Sequence, residues 1–152
     1  MRTIVIVSGY FNPLHKGHIE MIEKAKELGE VAVIINNDKQ QELKKGKIIT
    51  DEQERMNIIE ALKDVDYVFL SIDEDESVSK SLGEIVKLFI KSELLLGGKD
   101  KFNFIFANGG DRKSKEDIPE ASICRRNNIE MIFGLGDKIQ SSSNINKELG
   151  KE

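Results

Sequence analysis

The chain has 152 residues, of which 39% are hydrophobic and 33% charged, and its formal net charge is −4 at pH 7. This length and composition predict one globular, soluble domain over residues 1–152. The acidic balance argues against a general nucleic-acid-binding protein, which normally carries a basic surplus. No run approaches the ~20 apolar residues that a membrane span requires. The single cysteine, Cys124, excludes an internal disulfide and favours the reducing cytoplasm.

Five short apolar runs are typical of buried β-strands. They are TIVIVS (3–8), VAVIIN (31–36), DYVFLSI (66–72), FNFIFAN (102–108) and IEMIFGL (129–135). Helical periodicity is found between them, at 17–28, 51–63, 77–91 and 120–127, and a last helix is expected to begin in the SSSN segment (141–144). Nearly continuous apolar strands that alternate with helices predict a parallel sheet covered on both faces. The expected fold is therefore a Rossmann-like, doubly wound α/β domain with a five-stranded parallel sheet.

Three details of the connecting segments are also predicted. Thr50, followed by acidic residues, is expected to be the N-cap of the helix over 51–63. Residues 91–101 resemble an inserted loop before the fourth strand, and the acidic run DEDE (73–76) is interpreted as a solvated loop.

Polar and glycine-rich segments follow three of the predicted strands directly. GYFNPLHKGH (9–18) follows the first, GGDR (109–112) the fourth and GLGDKIQSSS (134–143) the fifth. In open α/β sheets, ligands bind outside the carboxyl ends of the strands. The sequence therefore predicts a binding site at this edge of the sheet.

The segment after the first strand contains both histidines of the chain. His15 and His18 are three residues apart, which in a first helical turn puts their Cβ atoms ~5–6 Å apart on one face. Gly17 lies between them and allows a ligand to approach the backbone. Two imidazoles at a helix N-terminus provide donors for phosphate oxygens. Capping histidines and a zinc site are alternatives, although no third zinc ligand has a suggestive spacing.

Basic and hydroxyl side chains elsewhere fit the same interpretation less specifically. KKGK (44–47) and Arg55 follow the second strand and could hold a second phosphate-bearing substrate, or the lysines could belong to a solvated loop. GGDR is compatible with a plain turn, and the serines of 141–143 with a helix cap. No GxxxxGK[ST] sequence is present, which excludes a P-loop.

GYFNPLHKGH is similar to the GxF[DN]xxHxGH signature of the nucleotidylyltransferase superfamily. IQSSSN (139–144) resembles the second phosphate-binding element of that superfamily, with Gln140 as one inserted residue. DEQERMNIIEALKDVDYVFLS (51–71) and NGGDR (108–112) resemble its cytidylyltransferase branch. The resemblance covers nearly the whole chain except 91–101, and it implies a fold of the HxGH nucleotidyltransferase type.

The resemblance also implies a reaction. A small phosphorylated or phosphonate acceptor attacks the α-phosphate of a nucleoside triphosphate and releases pyrophosphate, with Mg²⁺ bound through the triphosphate rather than by side chains. Such a nucleophile is already ionised, so that positioning and charge stabilisation suffice. CTP is the favoured nucleotide. The Asn-Pro pair in FNPLHKGH resembles adenylyltransferases acting on pyridine nucleotides, so ATP is the alternative.

Residue roles follow from the same resemblance. The expected catalytic residues are His15, His18, Lys44 and Arg55, and the expected acceptor-binding residues are Lys44 and Lys47. The expected nucleotide-binding residues are Gly9, Tyr10, Phe11, Gly17, Gly110, Asp111, Arg112, Ser141, Ser142 and Ser143. The resemblance suggests a homodimer, and neither a nucleic acid nor a membrane is an expected partner.

Two function classes compete with this interpretation. A class I aminoacyl-tRNA synthetase fragment would share the HxGH turn, but the sequence lacks a KMSKS-like loop after the fold. A non-catalytic nucleotide sensor on the same fold would not require both phosphate-binding elements.

Overall fold

The computed structural model describes residues 1–107 and 118–135. In this part of the chain the strands are β1 (Arg2–Gly9), β2 (Glu30–Ile35), β3 (Tyr67–Leu70), β4 (Phe102–Ala107) and β5 (Glu130–Ile132). The helices are α1 (Lys16–Leu28), α2 (Asp38–Lys45), α3 (Glu52–Glu60), α4 (Ser79–Leu95) and α5 (Ala121–Arg126). None of the helices described is long and apolar enough to cross a membrane.

The five strands form one parallel sheet in the order β3-β2-β1-β4-β5. This confirms the predicted doubly wound α/β fold. The chain proceeds outward from β1 to β3 and then returns to β4 on the other side of β1. The switch point of the topology, where ligands bind in such sheets, therefore lies between the carboxyl ends of β1 and β4.

Both faces of β1 are buried, which explains its continuous apolar sequence. Ile4 and Ile6 point to one face, where they join the core cluster that contains Leu82 of α4. Val5 and Val7 point to the other face and join the cluster formed with α1 and α3. All four side chains of this strand are 0% exposed, so β1 is a rigid support for the segment that follows it.

Two helix boundaries differ from the predictions. Helix α4 continues to Leu95 and includes part of the predicted 91–101 loop. Leu94 and Leu95 are 70% and 76% exposed, so the apolar periodicity ends before the helix does. Helix α3 is capped by Asp51 rather than Thr50, because the Asp51 carboxylate accepts the Glu54 N–H at 2.9 Å.

Helix α2 was absent from the predictions. Asn37 caps its N-terminus, and Gly46, with φ 76°, ends it in the left-handed conformation. Its buried residues are Gln40 and Gln41, both 0% exposed. Because its buried face is made of amides, the helix has no apolar stripe that periodicity could detect. Lys44 therefore lies in a last helical turn rather than in a loop.

The solvated-loop interpretation of residues 73–76 is wrong for Asp73. This residue is 3% exposed, and its carboxylate accepts the N–H groups of Lys80 at 2.8 Å and Ser81 at 3.0 Å. A carboxylate at this position satisfies orphan N–H groups in the first turn of α4 and interacts favourably with the helix dipole. The loop after β3 is thus fixed to the helix that follows it.

Candidate active site

The two histidines form a capping box at the start of α1. His15 is the N-cap, and its Nδ1 accepts the N–H of Gly17 at 3.0 Å. His18 is the third helical residue, and its Nδ1 accepts the N–H of His15 at 3.2 Å. Since Nδ1 of each ring is an acceptor, the proton of each neutral imidazole lies on Nε2. Each ring therefore retains one N–H donor that the cap does not use.

The two imidazoles stack, with ring centroids 3.8 Å apart and an interplanar angle of 28°. Burial lowers the pKa of His15. Burial and, secondarily, the neighbouring His15 lower the pKa of His18 to about 4. The charged forms are disfavoured because a partly desolvated site solvates an imidazolium poorly, and for His18 the adjacent His15 adds to this effect. The pair is consequently a set of neutral N–H donors near pH 7.

Gly9 and Phe11 support His18 from the side of β1. Phe11 is 5% exposed and meets the His18 ring edge-on, with centroids 5.0 Å apart and planes at 72°. A Cβ at Gly9 would lie 3.1 Å from the Phe11 ring, which is closer than ordinary packing. Phe11 itself adopts φ 53°, a left-handed conformation that is unusual for a residue with a side chain. The sequence prediction missed this packing role of both residues.

Arg55 is 1% exposed, and its guanidinium is surrounded by protein acceptors. Its Nε donates to the Thr50 carbonyl at 2.8 Å, and Nη1 donates to the carbonyls of Tyr10 at 3.1 Å and Asn36 at 2.6 Å. Its Nη2 forms a salt bridge with Asp38 at 3.0 Å. These contacts use most of the donors of the guanidinium. The arrangement differs from the predicted one, in which Arg55 holds a phosphate.

Lys44 and Tyr10 bring the end of α2 to the segment after β1. The Lys44 ammonium lies 4.6 Å from the centre of the Tyr10 ring, which is a cation–π geometry. The Tyr10 hydroxyl donates to the Gln40 carbonyl at 3.5 Å, and burial raises its pKa. Lys47 lies beyond Gly46 and is exposed. Lys44, in the last turn of α2, therefore lies beside the segment that follows β1, whereas Lys47 lies in the connection between α2 and α3.

The carbonyls of the signature segment are also engaged. Gly9 accepts the N–H of Asn36 at 3.0 Å, and Tyr10 accepts from Arg55. Each carbonyl is thus already bonded once within the protein. Lys16, between the two histidines, is exposed.

The described residues contain part of the predicted site. The structure brings together the signature segment 9–18, Lys44 and Arg55. The predicted residues Gly110, Asp111, Arg112, Ser141, Ser142 and Ser143 lie outside the described residues, as does the predicted last helix. Within residues 1–107 and 118–135, no group of three or more His, Cys, Asp and Glu side chains could hold a metal ion.

Sequence reasoning missed Asp38 and Gln41, which contact Arg55 or its partners. The available signal was position alone, since the polar segment NNDKQQ directly follows the second strand. Cys124 is buried, and burial raises its pKa to about 12, so it is a core thiol and not a nucleophile.

Residues 6–136 match the family model described as cytidylyltransferase-like. The chain belongs to this family. This membership confirms the superfamily that the GYFNPLHKGH signature predicts. The chain is therefore a nucleotidyltransferase.

Several curated relatives share part of the chain. It is 38% identical over 71 residues to an FAD synthase of Ferroglobus placidus, covering 47% of this chain and 47% of that protein. It is 40% identical over 101 residues to an FAD synthase of Thermococcus sibiricus, covering 65% of each. It is 33% identical over 117 residues to the bifunctional protein HldE of Actinobacillus succinogenes, covering 71% of this chain but only 23% of that protein. The chain thus covers about half or less of the length of two of these relatives.

Solved structures share the fold over most of the chain. A lipopolysaccharide core biosynthesis protein from Thermoplasma volcanium GSS1 is 26% identical with a TM-score of 0.56, covering 86% of this chain and 94% of that one. A structure from Vibrio parahaemolyticus, described as a putative nicotinate-nucleotide adenylyltransferase, is 19% identical with a TM-score of 0.55, covering 100% of this chain and 84% of that one. The second likeness concerns the fold alone.

Proposed function

We propose that this protein transfers a nucleotidyl group from a nucleoside triphosphate to a small phosphorylated acceptor and releases pyrophosphate. The observation that carries the proposal is the stacked, neutral pair His15 and His18 in the capping box of α1, directly after β1. Two Nε2–H donors at a helix N-terminus suit the oxygens of a triphosphate. They also avoid the cost of holding two like charges in contact.

The transfer is a displacement at the α-phosphorus. An oxygen of the acceptor phosphate forms a bond to the α-phosphorus, and the bond from that phosphorus to the bridging oxygen of the β-phosphate breaks. Pyrophosphate leaves with the electron pair. The attacking oxygen carries no proton at neutral pH, so no general base is required. The histidines donate hydrogen bonds to phosphate oxygens on which negative charge develops, while Mg²⁺ enters as part of the nucleotide substrate.

The lysines and the arginine take different roles in this proposal. Lys44 and Lys47 hold the acceptor phosphate or the outer phosphates of the nucleotide, as the family resemblance implies. Arg55 is reassigned from phosphate binding to positioning, because its guanidinium is 1% exposed and bonded to four protein acceptors. The segments 109–112 and 141–143 remain predicted contacts of the nucleotide and the outgoing pyrophosphate.

We propose ATP as the nucleotide. Two relatives at 38% and 40% identity are FAD synthases, whose named product contains an adenylyl group. This favours the adenylyltransferase alternative over CTP, for which the similarity of residues 51–71 and 108–112 to cytidylyltransferases is the argument. Flavin mononucleotide is accordingly the first acceptor to test, followed by sugar phosphates. A homodimer acting in the cytoplasm remains a prediction.

The test follows pyrophosphate release. The protein is incubated with MgCl₂ and either ATP or CTP, together with flavin mononucleotide, a sugar 1-phosphate or glycerol 3-phosphate. Turnover with ATP and one acceptor is expected. His18→Ala removes one donor to the transferring phosphate and should lower kcat by about 10²–10³. Lys24→Ala, which removes an exposed charge from the same helix, is the matched control and should leave kcat unchanged.

Three outcomes would contradict parts of the proposal. Turnover with CTP alone would restore the cytidylyltransferase prediction. Tight nucleotide binding by calorimetry with no turnover for any pair would favour the non-catalytic sensor. Unchanged kcat in His18→Ala would refute the mechanism while leaving the family membership intact.

A further inference from the structure

Gln41 is a buried glutamine on α2 whose side-chain amide is fully paired. It is 0% exposed, and Oε1 accepts from Nδ2 of Asn12 and from the N–H of Ile49, the latter at 2.7 Å. Its Nε2 donates to the Thr50 carbonyl at 3.0 Å and to Asp38 Oδ1 at 3.3 Å. Two acceptor positions and two N–H groups are thus all in use.

These partners belong to two separate segments of the site. Asn12 lies in the histidine-bearing segment 9–18, whereas Ile49 and Thr50 lie in the connection 46–51, which carries Lys47. Gln41 therefore links the histidine-bearing segment to the connection that follows α2. Such a link keeps the two segments in a fixed relative position, and a reaction between two bound substrates depends on their relative position.

Arg55 makes a second link that shares two acceptors with the first. Its Nε and Nη2 donate to the same Thr50 carbonyl and the same Asp38 Oδ1 that Gln41 uses. Its Nη1 reaches the carbonyl of Tyr10, two residues before Asn12. The connection 46–51 is thereby held to the histidine-bearing segment at two points, once through Gln41 of α2 and once through Arg55 of α3.

The amide of Gln41 has only one acceptable orientation. Reversing it would place N–H groups against the Asn12 amide nitrogen and the Ile49 N–H, so that donors would face donors. A glutamate would offer only acceptors to the Thr50 carbonyl and Asp38. An apolar side chain of the same size would leave several buried polar groups without partners, which costs more than the bonds themselves contribute.

We propose that Gln41 is a positioning residue for the transfer reaction. It sets the distance between the His15–His18 donors and Lys47 in the connection 46–51, so that nucleotide and acceptor bind in register. This inference rests on the proposed nucleotidyl transfer, because only a two-substrate site requires that register. Gln41 itself does not have to touch either substrate.

Gln40 provides a matched control one residue away. It is also 0% exposed, and its Nε2 donates to the carbonyls of Asp75 at 2.6 Å and Ser77 at 2.8 Å. Its Oε1 accepts from Asn36, Asn37 and Ser71. Its side chain therefore fixes the loop after β3, away from both segments that Gln41 joins.

The experiment compares Gln41→Leu, Gln40→Leu, Asn12→Ala and the double variant of Asn12 and Gln41. Dissociation constants for ATP with MgCl₂ are measured by calorimetry, KM and kcat by pyrophosphate release, and unfolding by circular dichroism. Gln41→Leu and Asn12→Ala should each raise the ATP dissociation constant and KM about tenfold, because each breaks the hydrogen-bonded link between residue 12 and residue 41. The double variant should have the same ATP dissociation constant as Gln41→Leu, because the two substitutions break the same link. Gln40→Leu should lower the melting temperature about as much as Gln41→Leu does. Its ATP dissociation constant should stay within about twofold of the wild-type value.

Each result decides the inference. A folded Gln41→Leu variant with wild-type affinity and KM would overturn it, and so would an equal loss of affinity in Gln40→Leu, since α2 would then act only as general packing. If Gln41→Leu does not fold, Asn12→Ala decides the question, because unchanged affinity there refutes the link. Wild-type protein that binds neither ATP nor CTP would instead refute the proposed function and remove the basis of this inference.

Discussion

Exchange of His18 for glutamine tests whether the capping pair is neutral in the folded protein. Folding lowers the pKa of His18 from 6.5 to about 4, chiefly through burial and then through the adjacent His15. Between pH 6.5 and about 4, His18 is therefore protonated in the unfolded chain but neutral in the folded chain. The stabilisation by the neutral ring is complete above pH 6.5 and is lost as the pH falls towards 4.

The size of the effect follows from the pKa difference. Each pKa unit corresponds to about 1.4 kcal/mol, which would give about 3 kcal/mol for this ring. Solvent reaches the ring in part, and screening reduces the expected loss to about 1–2 kcal/mol between pH 7 and pH 4.5. The same pH range protonates carboxylates throughout the protein, so a reference protein with the same carboxylates is required.

His18→Gln is that reference. Glutamine is a preferred third residue of a capping box, because its side-chain oxygen can accept the N-cap N–H without titrating. Urea unfolding of both proteins from pH 4.5 to 7.5 is followed by far-UV circular dichroism, since the chain contains no tryptophan. The stability of the wild type relative to His18→Gln should fall by about 1–2 kcal/mol as the pH is lowered over this range. A difference that stays constant with pH would refute the neutral capping pair.

Three further outcomes are expected. Arg55→Lys keeps the charge but loses the planar fork that serves Asp38 and three carbonyls, so urea unfolding should show a loss of about 2–4 kcal/mol; wild-type stability with weakened phosphate binding would instead restore the phosphate-binding role. Tyr10→Leu removes the ring beneath the Lys44 ammonium and should cost about 0.5–1 kcal/mol more than Tyr10→Phe in the same measurement, a difference that vanishes if the ring contact is unimportant. Cys124, with its pKa raised to about 12, should react with iodoacetamide at pH 8 at least about 100-fold more slowly in native than in urea-unfolded protein, and equal rates would contradict its burial.

The sheet and the histidine pair were predictable because their signals are local. β1 is apolar throughout since both of its faces are buried, and that pattern survives in the sequence without knowledge of its partners. The spacing of His15 and His18 indicated one helical turn, and the structure adds that they cap the helix and stack. Hydrophobic periodicity and motif spacing were sufficient for these features.

The supports of the site were not predictable from such signals. Helix α2 buries two glutamines, so it resembles a polar loop in any hydropathy pattern. Arg55 looked like a cation near a phosphate site, yet its partners Tyr10 and Asn36 are 45 and 19 residues away in the sequence. Hydrogen bonds between distant segments leave no periodic trace, because a polar side chain is compatible with solvent as well as with a buried partner.

The packing of Gly9, Phe11, His18 and His15 changes what the signature means for protein engineering. A side chain at position 9 would displace the Phe11 ring, whose edge lies against the imidazole that stacks on its neighbour. The four residues therefore pack as one unit, and a substitution at Gly9 would shift the Nε2 atoms of both histidines. Grafting the two histidines onto another strand–helix turn would transfer the imidazoles without their alignment. The smallest transferable unit is therefore the three rings of Phe11, His15 and His18 together with Gly9.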